Sequence, residues 1–140
     1  MALKAKKVDV WAGPVLDRPG NLAKKLAALA GGGANLQFVL ARRSPDKPGM
    51  GVLFVAGVQG PRQAKAAAQA GLTRTKTLAS VRVEGPNRRG VGARMTAAIA
   101  DAGINLRGFS AAGLGAKFVA FLALDTTSDA AKAIRVLKKL

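Results

Sequence analysis

The sequence predicts an α+β protein of two small modules, each running strand–helix–strand–strand–helix–strand, with the second module lacking its last strand. Three observations predict it. The chain carries one motif twice, V-D-V-W-A-G-P-V-L-D-R-P-G-N-L from Val8 to Leu22 and V-R-V-E-G-P-N-R-R-G-V-G-A from Val81 to Ala93. Each copy reads as a short alternating strand, a Gly-Pro, a polar loop ending in glycine, and an amphipathic helix. Each helix then runs to a matching landmark, A-N-L at Ala34 to Leu36 and I-N-L at Ile104 to Leu106. Between Gly20 or Gly90 and Leu36 or Leu106 the copies align without a gap. Self-similarity at a fixed period marks a duplicated unit.

In the first copy, Val8, Val10 and Ala12 alternate with Asp9 and Trp11, the pattern of a half-buried strand. Gly13-Pro14 is expected to end it, and Asp17 to Gly20 forms a turn. Leu22, Leu26 and Leu29 then make one helical stripe, with Lys24 and Lys25 outside it. Gly31, Gly32 and Gly33 stop that helix, because glycine adopts the left-handed backbone of a C-cap. A strand is expected from Ala34 to about Arg43, a turn over Ser44 to Gly49, and an apolar strand from Gly51 to Val58. Pro61 suits a first helical position and opens an Ala-rich helix to Ala70. A threonine-rich strand over Thr73 to Leu78 completes the module.

The second copy repeats the order with shorter loops. Val81 and Val83 lie on its first strand, and Val91, Met95, Ile99 and Ala102 on the buried stripe of its helix. Ile104, Leu106 and Gly108 are placed on the inner face of the next strand, and Phe118, Ala120, Leu122 and Leu124 on the one after. Ala130, Ala133, Ile134 and Leu137 form the last stripe, solvated by Lys132, Arg135, Lys138 and Lys139. No eighth strand follows, so one sheet edge is expected to stay open or to be covered by the other repeat or by a partner chain. The order is the ferredoxin-like split βαβ arrangement, an antiparallel sheet with two helices on one face. The expected modules are residues 1–79 and 80–140.

Composition agrees. With 140 residues and 49% apolar content the chain buries a real core, as two packed halves. Cysteine and histidine are absent, which excludes disulfides, thiolate chemistry and the usual soft-metal sites. The seven carboxylates are scattered, and Gly31 to Gly33 follow a helix instead of preceding one, so neither acid–base catalysis nor a phosphate-binding loop is indicated. No enzyme, cofactor or metal is expected. The basic start lacks a following apolar run and no window reaches a membrane span, so a soluble cytoplasmic protein is expected.

Net charge is +16, from 23 basic and 7 acidic residues. It is shared between the halves, with twelve basic and three acidic residues through Thr75 and eleven and four after it. A charge spread over both modules belongs to their surfaces and not to a tail. An anionic partner explains it, and so does a solubility bias; net charge alone does not separate the two.

The element order, together with D-R-P-G-N-L at Asp17 to Leu22 and G-P-N-R-R-G-V at Gly85 to Val91, resembles the ACT domain family. Asn35-Leu36 and Asn105-Leu106 support the match, which covers Val8 to Leu140 as a tandem pair. The resemblance implies a regulatory module that binds an amino acid or a related small anionic metabolite where two such domains meet. It implies a ligand against the loop between first strand and first helix: Asp17, Arg18, Pro19, Gly20 and Asn21 in one copy, and Asn87, Arg88, Arg89, Gly90 and Val91 in the other. Asn35 and Asn105 are the next candidates. The loop precedes a helix N-terminus, whose unpaired N–H groups and positive dipole end favour an anion. Arg88 and Arg89 crowd that positive end, which an anionic occupant would explain, whereas Asp17 is an ordinary acidic neighbour of a helix start. Each residue also has a plainer reading: a turn glycine, a helix-start acid, a backbone-capping asparagine, a solvated arginine.

A second functional reading uses the sheet. Alternation puts Trp11, Phe109 and Phe121 opposite the helix-covered face, with Arg82, Arg107 and Lys117 in phase, a stacking platform for nucleic acid in a basic field. The same aromatics equally suit sheet-on-sheet packing, and aromatic content is only 4%. The expected protein is a stand-alone, homodimeric regulatory sensor that passes ligand occupancy to a protein partner, with nucleic-acid binding as the alternative.

Overall fold

In the computed structural model, which describes residues 2–75 and 79–140, the chain runs β1 (Lys4–Val8), β2 (Val10–Leu16), α1 (Asn21–Gly31), β3 (Phe38–Arg43), β4 (Met50–Ala56), α2 (Gly60–Gln69), β5 (Thr73–Arg74), β6 (Ala79–Pro86), α3 (Val91–Asp101), β7 (Leu106–Leu114), β8 (Lys117–Leu124) and α4 (Thr127–Lys138). Two four-stranded antiparallel sheets result, ordered β3-β4-β2-β5 and β1-β6-β8-β7. Both are ferredoxin-like. Among the described residues, 9–75 form one compact unit, and 2–8 with 79–140 form the other. The sequence predicts a single division after residue 79; a second crossing of the chain falls between Val8 and Asp9.

In the unit of residues 9–75, Val15, Leu29, Leu53, Val55, Ala67 and Leu72 form the core between sheet and helices, with Trp11 and Leu26 packed against it. The register pairs Trp11 with Val55, Gly13 with Leu53 and Val15 with Gly51. The inner face of β2 is therefore the odd-numbered one, opposite to the expected phase. In V-D-V-W-A-G-P-V both phases are apolar, so alternation alone does not fix the face. β2 also runs through Gly13-Pro14 to Leu16 instead of ending there. Even-numbered β2 positions face β5, where the Val10 carbonyl accepts from Thr75 N–H at 2.9 Å. β5 pairs only with Trp11 and Ala12, so Pro14 lies beyond it and its missing N–H costs no ladder bond.

β3 starts at Phe38, four residues later than expected. Gly33, at φ 93°, turns the chain after α1, and Ala34 N–H still caps the helix at Leu29 O, 3.0 Å away. Ala34 and Leu36 reach the core as loop residues. Arg62 and Gln63 on α2 donate to the Gly31 and Gly33 carbonyls, and Lys25 Nζ donates to the Ala70 carbonyl. Each helix thus supplies donors for the other's orphan C-terminal acceptors. The strand expected over Thr73 to Leu78 is described at Thr73–Arg74; residues 76–78 lie outside the described residues.

In the other unit Val81, Val83, Met95, Ile99, Leu122, Leu124 and Leu137 are fully buried. The expected helix stripes and the inner set of β8 are all in this core. The sheet is not one strand short: β1 occupies the fourth position, antiparallel to β6, from Lys4 opposite Glu84 to Val8 opposite Ser80. Leu3 and Ala5, each 6% exposed, fill the core beneath it. The edge of β6 that the sequence leaves uncovered is thus paired by the basic N-terminal segment.

Candidate functional site

The two glycine loops have one architecture. In the first, the chain leaves β2 at Leu16, Asp17 N–H donates to Gly49 O at 3.0 Å, and Arg18 N–H donates to Leu16 O at 2.9 Å. Gly20 is the N-cap of α1 at φ 89°, with no side chain capping the helix. In the second, Asn87 N–H donates to Ala116 O at 2.9 Å, Val91 N–H to Arg88 O at 3.1 Å, and Gly90 caps α3 at φ 79°, again with no side-chain cap. A Cβ built on either glycine would meet nothing within 4 Å. These glycines are needed for their backbone angle, and the space above them is open. The first-turn N–H groups that a capping serine or aspartate would satisfy are left available to a carboxylate.

The side chains divide by role. Asp17 accepts from Arg43 Nε at 2.8 Å, so the acidic residue of the first loop is tied to β3. Asn21 Nδ2 reaches back to Leu16 O at 3.4 Å. Arg18 and Pro19 are exposed. A cleft of about 230 Å³ lies beside this loop, lined among others by Asp17, Arg18, Leu22, Arg42 and Arg43. In the second loop Asn87 Nδ2 donates to Gly115 O at 3.0 Å and so braces the β7–β8 turn. Val91 is 4% exposed, with its side chain in the core, leaving its backbone at the loop. Arg88 and Arg89 are exposed and form no ion pair among the described residues. Asn35 and Asn105 are exposed, the first preceding β3 and the second preceding β7.

The proposed stacking platform is not assembled. Trp11 packs on the helix side of its sheet, and it belongs to a different unit from Phe109 and Phe121. Phe109 also lies on the helix side, opposite Leu122 and within 4.0 Å of a Cβ built on Gly92 of α3. The cause is a β-bulge between Leu106 and Gly108, which inserts Arg107 and shifts the alternation by one residue. Leu106 therefore keeps the inner face that the sequence assigns it, while Gly108 loses it to Phe109. Phe121 does lie on the outer face but is only 9% exposed. Arg107 pairs with Asp125 at 3.5 Å and Arg82 with Glu84 at 2.8 Å; Lys117 is exposed.

Glu84 is the functional candidate that the sequence reading misses. Its carboxyl is held below the ordinary range by the Arg82 hydrogen bond first, then by the charge of Arg82 and, more weakly, of Lys117 and Lys4, against an opposing effect of burial. The signal in the sequence was one glutamate in V-R-V-E; what it lacked was the knowledge that Lys4 would lie across from it. No cluster of potential metal ligands occurs among the described residues, and no helix among them is long and apolar enough to cross a membrane.

No family model and no curated protein sequence matches the chain. Solved structures do. Protein BT0572 from Bacteroides thetaiotaomicron superposes with a TM-score of 0.78 at 17% identity, over 96% of this chain and 89% of that one. The ligand-free regulatory subunit of aspartate kinase from Thermus thermophilus gives 0.64 at 17% identity, over 96% and 95%. The corresponding subunit from Thermus flavus gives 0.62 at 19%, over 99% and 96%. The chain thus has the fold of these regulatory subunits along nearly its whole length, in agreement with the ACT-domain resemblance carried by its two glycine loops.

Proposed function

We propose that the chain is a non-catalytic regulatory protein that binds an amino acid or a related small anion at the Gly20 and Gly90 loops and passes occupancy to a protein partner. The observation that carries this reading is the pair of left-handed glycines at uncapped helix starts with open space above them. A side chain in that space would block approach to the first-turn N–H groups; its absence in both copies suits a ligand carboxylate. The second loop is the stronger anion site, because Arg88 and Arg89 add charge there without carboxylate partners among the described residues. The shared fold with regulatory subunits of aspartate kinase supports the regulatory role.

A homodimer fits this reading. β7 is an edge strand of nine residues, L-R-G-F-S-A-A-G-L, with one charge and no proline, and Leu114 at its end is 69% exposed. The opposite edge of that sheet carries three lysines and the edge strand β5 is two residues long. Long, uncharged edges invite pairing, whereas lysine-rich and very short ones resist it. A second copy of β7 is the proposed occupant.

The test is a thermal-shift screen against amino acids and common metabolites, with short RNA and DNA run in parallel at two salt concentrations. A ligand that binds only the native state raises Tm. A selective, salt-insensitive rise with one amino acid establishes the sensor. A rise only with nucleic acid, lost at higher salt, transfers the function to the net charge.

A further inference from the structure

The unit of residues 2–8 and 79–140 carries a second charged constellation, on the sheet face turned away from its helices. The ladder places Lys4 opposite Glu84, Lys6 opposite Arg82, and Lys117 opposite Pro86, one diagonal step from Glu84. Arg82 Nη1 holds Glu84 Oε2 at 2.8 Å, so the one carboxylate is matched. Lys4, Lys6 and Lys117 form no ion pair among the described residues.

Two further observations mark the patch as electrostatically unsatisfied. Like charges directly opposite on a ladder are destabilising, and Lys6 faces Arg82 in that way. Arg82 Nε is buried with no hydrogen-bond partner among the described residues, and a buried unpaired donor is costly. The Glu84 carboxyl is depressed chiefly by its hydrogen bond to Arg82 and the charge of Arg82, with Lys117 and Lys4 adding less. Two hollows of about 310 and 140 Å³ lie over these residues and share Lys4 and Glu84.

We propose that this patch binds a small, doubly charged oxyanion, a phosphate group or a dicarboxylate, through Lys4, Lys6 and Lys117, with Arg82 reinforcing the field from behind. The larger hollow reaches Pro86 and Ala116, beside Asn87 of the second glycine loop, but none of the candidate residues of that loop lines it. Lysines on an edge strand also discourage stray pairing, but Lys117 lies on the interior strand β8, which that explanation does not reach. Because Lys4 and Lys6 arrive on β1, the site exists only while the N-terminal strand is docked, and its occupant stabilises that docking by mass action.

The test titrates the full chain with inorganic phosphate, and separately with malonate, at low ionic strength, followed by backbone amide NMR. Saturable shifts are expected at residues 4–6, 82–85 and 116–117. Lys6→Gln with Lys117→Gln should weaken binding by at least about tenfold, since two charge-assisted bonds are lost. Glu84→Gln should strengthen it, since the competing carboxylate is gone. All three positions are on the sheet surface, and circular dichroism checks that the variants remain folded. The stronger response of the two anions assigns the ligand class. Shifts that scatter over both units without saturating, unchanged binding in the double variant, or weaker binding in Glu84→Gln overturns the proposal.

Discussion

Gly90 combines two demands that a side chain meets poorly. Its φ of 79° is in the left-handed region, and the space above it is empty. A valine there costs about 1–2 kcal/mol of backbone strain and fills the approach to the first turn of α3. Gly90→Val should therefore keep its far-UV spectrum, melt a few degrees lower, and lose the ligand-induced rise in Tm. Arg88→Ala with Arg89→Ala removes charge without touching the backbone. It should keep the fold and weaken an anionic ligand by about 0.3–1 kcal/mol for each charge near the helix end, read by calorimetric titration. If both variants bind like the parent, the loop is not the site. Glu84 gives a prediction with a definite sign. Its carboxyl is depressed by Arg82, so the ion pair's contribution is present above the ordinary carboxylate range and is lost as pH falls through the folded value. Both side chains keep solvent contact, 22% and 27% exposed, so the contribution is about 0–1 kcal/mol. Melting curves of the parent and Glu84→Gln should differ at neutral pH and converge in acid; a gap that widens as pH falls contradicts the assignment.

Elements were legible wherever one face was unambiguously apolar. The α3 stripe of Val91, Met95 and Ile99 and the β8 set of Phe118, Ala120, Leu122 and Leu124 are buried as read. Three elements were not legible, each for its own physical reason. β2 is apolar on both faces, so its phase was ambiguous. β7 changes phase at a bulge, and a single inserted residue leaves no mark on a hydrophobic pattern. β1 is five residues with three lysines; only Ala5 within it and Leu3 just before it mark its inner face, and its partner strand begins at Ala79, far along the sequence. The glycine loops were legible because they occur twice, whereas the Lys4–Arg82–Glu84 cluster depends on a pairing between distant strands. The place of β1 makes a stability prediction. Burying Leu3 contributes about 2 kcal/mol, and β6 loses a neighbour without it. Removing residues 2–8 should lower Tm by several degrees and raise hydrogen exchange along β6, while amides of α1 and β4 in the other unit keep their protection. Ala5→Asp puts a charge into the same core and should do the same without shortening the chain. Uniform loss of protection in both units would show that β1 supports more than its own sheet.

At the scale of the whole molecule, the proposed sensor acts by changing what it associates with. That makes dimerisation and ligand binding parts of one equilibrium. If two β7 edges pair, lysines on that strand should separate the copies, because charge on an edge disfavours pairing. Ala112→Lys with Leu114→Lys is the apt variant: both positions are exposed and neither belongs to the core. Light scattering should report the parent as a dimer and this variant as a monomer with an unchanged far-UV spectrum; a variant that stays dimeric places the contact elsewhere. Linkage then supplies the stricter check. A ligand that favours the dimer must itself bind the dimer more tightly, and by the same factor. The monomeric variant should therefore lose ligand affinity although no loop residue has changed, and parent affinity should rise with protein concentration across the dimer's dissociation range. An affinity indifferent to both would mean that each loop binds within a single copy, and occupancy would have to reach a partner through the internal arrangement of the chain.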